Sequence, residues 1–247
     1  MMTNQMLSKL SELRLPVMAQ ELRRQTELPA MSALPFEERF GLMVDAEWRG
    51  RYNQKIQKLL RAARLRCPDA SLEDIDFSAE RQLDRAMIAR LSDMSWISQS
   101  RNLFITGACG VGKTWIASAF GSAACRLGKR VATHRVSRLL DSLRAARADG
   151  TWGNLLATLK KTDLLILDDF GLDRLDAIHC RDLLEIVEDR YGSGSILITA
   201  QLPVSEWHGI FEDATIADAT LDRLVHNAYR IELRGPSRRA NTHSLDN

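Results

Sequence analysis

Residues 107–115 read GACGVGKTW, with the apolar run LFIT before them and the helix-forming run IASAFGSAA after. Three glycines, a lysine and a threonine at this spacing match G-x-x-x-x-G-K-[ST], in the strand–loop–helix context that the pattern needs. Gly107, Gly110 and Gly112 let the backbone bend around an anion with its N–H groups turned inward. A helix starting near Lys113 adds its positive end. Lys113 reaches the β- and γ-phosphates, and Thr114 offers a hydroxyl to Mg²⁺. Ala108, Cys109 and Val111 occupy the variable positions, Cys109 as a loop filler rather than a redox switch, and Trp115 follows. The whole loop is expected to bind ATP with Mg²⁺.

A second set is DLLILDDFG, residues 163–171. An apolar run ending in two acids reads as a buried strand that delivers Asp168 to Mg²⁺ and Asp169 toward the attacking water. Parallel strands bring their C-terminal ends to one crevice, where the phosphate loop also lies. Taken alone, Asp-Asp after a strand could be a helix cap. SILITAQLP then places Thr199 and Gln201 at a strand exit. Either could orient water or touch the γ-phosphate, or the stretch could be an ordinary exit. In ATLDRLVHNAYRIEL, Leu221, Leu224 and Val225 can face a core while Arg223 points away. An arginine held outward there suits insertion into a neighbour's nucleotide site; a surface salt bridge is the plainer alternative.

These residues need a sheet to position them. LFIT (103–106), VATHRV (131–136), LLILDD (164–169), SILITA (195–200) and YRIEL (229–233) are strand candidates, separated by helical stretches. That alternation implies a parallel sheet with helices on both faces. Residues 1–66 instead read as wholly helical, broken at Leu15-Pro16 and by ELPAMSALP. The third helix carries Phe36, Phe40, Met43 and Val44 on one face and runs through Trp48, which is expected in the core, into a basic stretch despite Gly50. The acidic segment CPDASLEDIDF marks a boundary. The expected organisation is a helical domain over 1–66, a linker over 67–85 that supplies adenine contacts between Phe77 and Arg85, and a nucleotide-binding domain over 86–247.

Net charge is only +2, but its distribution is uneven. Arg49, Arg51, Lys55, Lys58, Arg61, Arg64 and Arg66 fall in one acid-free run, and Arg138, Arg144 and Arg147 close a second basic zone. Such blocks suit a polyanionic partner, nucleic acid first, or else solvated helix faces. Hydrophobic content of 45% suffices for a core. No run of about 18 apolar residues suggests a membrane span, and the N-terminus lacks a signal-peptide pattern. The four cysteines fall at neither disulfide-framework nor zinc spacing, so a reduced cytoplasmic chain is expected.

In this order and spacing, GACGVGKT, LLILDDFG, ITAQLP and DATLDRLVHNAYRIEL resemble an AAA+ ATPase of the initiator and helicase-loader group. LSELRLPVMAQEL, LPFEERFGLMVDAEW, LEDIDFSAERQLDRA and ITAQLPVSEWH extend the likeness to the IstB family of transposition helper ATPases, cousins of DnaC, over essentially residues 3–240. The resemblance implies an AAA+ fold with a five-stranded parallel sheet in the order 5-1-4-3-2, preceded by a small all-α domain. It implies Walker A at 107–114, Walker B at Asp168 and Asp169, sensor 1 at Gln201 and an arginine finger at Arg223. A short sensor-2 arginine follows at Arg239, with Arg238 the second choice. It also implies a helical insertion over 137–159 that faces DNA. Three departures stand out. Asp169 replaces the usual Glu, Gln201 replaces a shorter residue, and few residues follow the last strand, which leaves no room for a lid domain. The implied activity is slow ATP hydrolysis by an oligomer, ring or spiral, that assembles with ATP on duplex DNA, deforms it and recruits a partner transposase. A DnaC-like loader of a replicative helicase onto single strands, a P-loop kinase and a non-hydrolysing scaffold are the rivals.

Overall fold

The structure is a computed structural model that describes residues 2–238. Its contacts divide the chain into two compact units, Met1–Lys58 and Leu59–Asn247. The linker segment and the end of the third helix thus belong to the second unit.

In the first unit, α1 (Met2–Glu12) and α2 (Pro16–Glu27) precede the long α3 (Phe36–Ala63). Pro16 sits in the first turn of α2, where its missing N–H costs nothing. The first N–H groups of α2 find a cap across the unit instead: Glu47 Oε2 accepts from Val17 and Met18, both at 3.0 Å. Gly50 lets the two helices approach, since a Cβ there would lie 2.8 Å from Val17 Cγ2. Trp48 is not a core residue. It is 65% exposed and stacked on Tyr52, with ring centroids 5.5 Å apart.

The second unit adds α4 (Arg85–Leu91), α5 (Ser95–Ser98), β1 (Asn102–Gly107), α6 (Lys113–Arg126), β2 (Val131–Arg135), α7 (Val136–Asp149) and α8 (Trp152–Lys160). Then come β3 (Leu164–Phe170), α9 (Ala177–Arg190), β4 (Ser195–Ala200), α10 (Ala214–Val225) and β5 (Ala228–Leu233). All pairings are parallel, in the order β2-β3-β4-β1-β5. Read from the other edge, this is the expected 5-1-4-3-2.

The strands alternate between two cores, as a period of two demands. Phe104, Leu165, Leu167, Ile196 and Ile198 join the cluster under α7 to α10. Leu103, Ile105, Leu164, Ile166 and Leu197 join the one under α4 to α6. Trp207, fully buried, wedges between Phe104 and Phe170 at 4.8 and 4.7 Å between centroids. Phe170 closes the acid-bearing strand, so this contact fixes the strand's exit. On the other face α6 is lined with small residues. A Cβ on Gly121 would fall 2.6 Å from Leu65 Cδ2, which marks a notch that receives the chain just after α3.

Candidate functional site

The phosphate loop is shaped by its glycines. Gly107, Gly110 and Gly112 have φ of +146°, +82° and +99°. A Cβ on Gly107 would sit 2.2 Å from the Leu233 carbonyl oxygen. Gly107→Ala is therefore expected to cost more than about 2 kcal/mol, since backbone cannot yield and φ is unfavourable. A chemical melt of the variant checks it. Gly112 caps α6 in the left-handed region, so the helix opens with its first N–H groups aimed into the loop. Lys113 Nζ donates to the carbonyls of Gly107 (2.8 Å) and Ala108 (2.7 Å).

The loop is also held from behind. Arg81, 5% exposed, donates to the carbonyls of Val111 and Asp76, both at 2.9 Å. Burial lowers its pKa from the usual value, and nearby Arg238 adds to this while Asp76 opposes it. Arg238 N–H donates to the Gly110 carbonyl at 3.0 Å, and its guanidinium pairs with Asp76. Arg239 lies outside the described residues.

Asp169 lines the cleft, and Asp168, buried beside it, turns toward the same arginine, Arg66. Successive residues of a regular strand point to opposite faces, but the β3–β4 register shifts between Leu167 and Phe170. Asp169 carries the kink with φ of +62°, at a cost of roughly 1 kcal/mol. One nitrogen of Arg66 consequently reaches both carboxylates: Nη1 lies 2.9 Å from Asp168 Oδ2 and 3.4 Å from Asp169 Oδ2. Asp168 is 1% exposed, and its Oδ1 accepts from Thr114 Oγ1 (2.9 Å) and Thr199 Oγ1 (2.5 Å). Thr199 Oγ1 in turn accepts from the Asp169 N–H at 3.1 Å. Arg135 Nε pairs with Asp169 Oδ2 at 3.2 Å.

Lys113, Thr114, Trp115, Asp169, Gln201 and Arg238 line a single cleft of roughly 790 Å³, together with Arg66, Arg135 and loop residues Cys109, Gly110 and Gly112. These residues fit a magnesium nucleotide. The positive-φ glycines bend the backbone into a loop, and the first N–H groups of α6, capped by Gly112, open toward it. A threonine hydroxyl and a buried carboxylate touch at its rim, which suits an ion that takes only one or two protein ligands and draws the rest from phosphate and water. Among the described residues there is no group of three or more His, Cys, Asp or Glu that could hold a metal by themselves.

Arg223 is not part of this cleft. Asp213 caps α10 by accepting from the Thr215 and Ile216 N–H groups. Asn102 holds the other end, donating to the Leu224 carbonyl at 2.9 Å. Arg223 thus lies beside Gln99, Asn102, Tyr191 and Asn227, where β1 begins. The phosphate loop follows the far end of β1, a strand length of roughly 17 Å away. Arg223 pairs with Glu188 Oε1 at 2.9 Å and donates to the Ala219 carbonyl at 2.8 Å.

The basic candidates separate. Arg138 is exposed on α7, as are Lys55, Lys58 and Arg61 on α3. Arg144 pairs with Asp176. Arg147 binds the fully buried Asp182, with Nε at 2.9 Å, and lies 4.2 Å over the Trp152 ring. In the 77–85 stretch, where adenine contacts are expected, Arg85 lies over the Phe77 ring at 4.5 Å.

Comparison with known proteins places the chain. The family model described as IstB-like ATP binding protein matches residues 8–246. The chain belongs to this IstB-like family. Among relatives, the insertion sequence ATP-binding protein y4pL of Sinorhizobium fredii is 46% identical over 241 residues, covering 98% of each chain. The IS1162 ATP-binding protein of Pseudomonas fluorescens is 46% identical over 205 residues, covering 83% of this chain and 89% of the relative. Among solved structures, the DnaC helicase loader superposes with a TM-score of 0.57 at 17% identity, covering 67% of this chain and 97% of that one. AMPPCP-bound DnaA from Aquifex aeolicus gives 0.55 at 19%, over 67% of this chain and 50% of that one. This IstB-like chain therefore has the AAA+ P-loop fold and belongs with the insertion-sequence ATP-binding proteins. Among its described residues no helix is long and apolar enough to cross a membrane.

Three residues of the site escaped sequence reasoning: Arg66, Arg81 and Arg135. Arg66 stands 102 positions from Asp168, and nothing in its acid-free basic run distinguishes it from its neighbours.

Proposed function

We propose that this IstB-like protein is an ATP-dependent, DNA-binding regulator of insertion-sequence transposition. ATP with Mg²⁺ binds the cleft, subunits assemble on duplex DNA, and the assembly recruits or stimulates a partner transposase. Hydrolysis then dissolves it. The observation that carries the reading is the separation of Arg223 from the phosphate loop at opposite ends of β1. Arg223 cannot reach the nucleotide of its own subunit, so any phosphate it touches belongs to a neighbour. ATP would thereby act as glue between subunits.

Within one subunit the roles divide by geometry. Lys113 and the N–H groups of the loop hold the phosphates, while Thr114 and Asp168 hold the metal. Mg²⁺ held there would supply neutralisation of phosphate charge. Asp169 faces the position for attacking water, and Thr199, bonded to Asp168 and to the Asp169 N–H, keeps both acids in place. Gln201 lines the cleft beside them. Asp169 is one methylene shorter than the glutamate common at this position, which favours slow hydrolysis and a timed switch. DNA contact falls to exposed cations such as Arg138, Lys55, Lys58 and Arg61. The kinship with insertion-sequence proteins at 46% identity favours transposition over helicase loading.

Binding to long duplex and to single strands of equal length, without nucleotide, with ADP and with a non-hydrolysable ATP analogue, tests this. Duplex binding is expected to require the analogue and to fall at least about tenfold in Arg223→Ala, the equivalent of about 1.4 kcal/mol. It should also fall steeply with salt, with a log–log slope of about −0.9 per phosphate contact. Preference for single strands would favour the loader reading, and indifference to nucleotide would sink the proposal.

A further inference from the structure

Arg66 occupies an unusual position. It follows α3 in the chain, yet its guanidinium rests on both Walker B acids. This is a built arrangement. Leu65 enters the notch at Gly121 of α6. The Cys67 N–H donates to Ser118 Oγ at 3.3 Å, and Ser118 Oγ donates to the Thr114 carbonyl at 2.8 Å. Residues on either side of Arg66 are thus anchored to the helix that begins at the phosphate loop. The backbone is fixed at the cleft wall, while the side chain is 48% exposed.

Charge explains where it rests. Asp168 is buried, and a buried carboxylate requires a counter-charge. Its Oδ1 is taken by two hydroxyls, and its Oδ2 by Arg66. A metal held by Thr114 and Asp168 would bring two positive charges to the same carboxylate. Arg66 would then be repelled from a partner that no longer needs it. A guanidinium anchored there would find its nearest new anion in the phosphates on that metal. Because a metal at Thr114 and Asp168 would hold the phosphates beside these acids, and because Arg66 already reaches Asp169, the terminal phosphate would be the one in reach. The planar fork of arginine matches two phosphate oxygens. Arg135 and Arg238, also in the cleft, pair with Asp169 and Asp76.

Resting on the nucleotide-binding part of the reading above, we infer that Arg66 is a ligand of the terminal phosphate supplied by the same subunit. In the structure it rests on Asp168 and Asp169. It makes the cleft distinguish ATP from ADP without help from a neighbour.

The test is equilibrium binding of fluorescent ADP and of the fluorescent β,γ-methylene ATP analogue, with Mg²⁺, to the full chain. Wild type, Arg66→Ala, Arg66→Lys and Lys113→Ala are compared, with a thermal melt of each. Arg66→Ala is expected to weaken the analogue by about 10- to 100-fold and ADP by less than about threefold, as loss of charge-assisted bonds to one phosphate requires. Arg66→Lys keeps a charge on Asp168 and so guards against misfolding. It should show a smaller loss, still confined to the analogue. Equal losses for both nucleotides in the lysine variant would mean a structural role and overturn the assignment. So would tighter binding of both in Arg66→Ala, which would make Arg66 a plug. If wild type binds neither nucleotide, the ATP reading falls first and this one with it; Lys113→Ala sets the baseline for that outcome.

Discussion

Lys113→Ala is expected to reduce ATP affinity by about 30-fold or more, and to leave the fold standing. Truncating one partner of a buried, charge-assisted contact costs roughly 2–5 kcal/mol, and each 1.4 kcal/mol is about tenfold. Lys113 is 7% exposed and points into the loop it closes. Its ammonium therefore meets phosphate with little competing water. Stability should change by only about 1 kcal/mol. Each hydrogen bond to a neutral carbonyl contributes a net of about 1 kcal/mol, and the variant no longer carries a charge into a buried position. Nucleotide titration and a denaturant melt on the same preparation separate the two effects. A variant that binds ATP normally would show that the cleft at 107–115 is not the nucleotide site. A variant that does not fold would assign Lys113 to structure.

Arg147→Ala is expected to do the reverse: it should destabilise the second unit by about 3 kcal/mol, in the range for a buried ion pair that loses one partner. Asp182 is 0% exposed and depends on Arg147 and on Trp152 Nε1, which donates at 3.0 Å. Removing the guanidinium also strips its contact with the Trp152 ring. Arg138→Ala on the same helix should stay within about 0.5 kcal/mol, because an exposed surface substitution removes little. If α7 faces DNA, Arg138→Ala should lower DNA affinity and flatten its salt dependence, whereas Arg147→Ala should act through the melting temperature. Equal melting temperatures for the two variants would contradict this division. Two arginines on one helix, both read as DNA candidates from the basic zone, thus part company once their partners are known.

The phosphate loop, the acid-bearing strand and the parallel sheet with its alternating helices were legible in the sequence because each depends on local pattern, whereas the order of the strands came from the family resemblance. Glycine spacing, apolar runs ending in acids, and strand–helix alternation are all short-range. The long third helix was legible too, and it passes through Gly50 as expected; the glycine's purpose, close approach to Val17, needed the fold. Trp48 went the other way. It was expected in the core, yet it lies 65% exposed on the helix. Arg66 and Arg81 could not be read because their partners are distant in sequence and partly backbone. A guanidinium that binds the Val111 carbonyl leaves no trace in residue types. The kink at Asp169 was equally hidden. The register shift against β4 is what turns both carboxylates toward Arg66.

The separation of Arg223 from the phosphate loop also sets a count. If the arginine of one subunit completes the cleft of the next, the two joining surfaces are different, and the contact is heterologous. Heterologous contacts carry no built-in end point unless the rotation between subunits closes. An unclosed row of n subunits then contains n − 1 completed clefts. The cleft at one end has no arginine and the arginine at the other end has no cleft. Terminal subunits would bind ATP without the partner's charge, and so would hydrolyse or exchange it on a different schedule from those inside. Growth and shrinkage of such a row would be decided at its ends, where a second protein could read which end it has met.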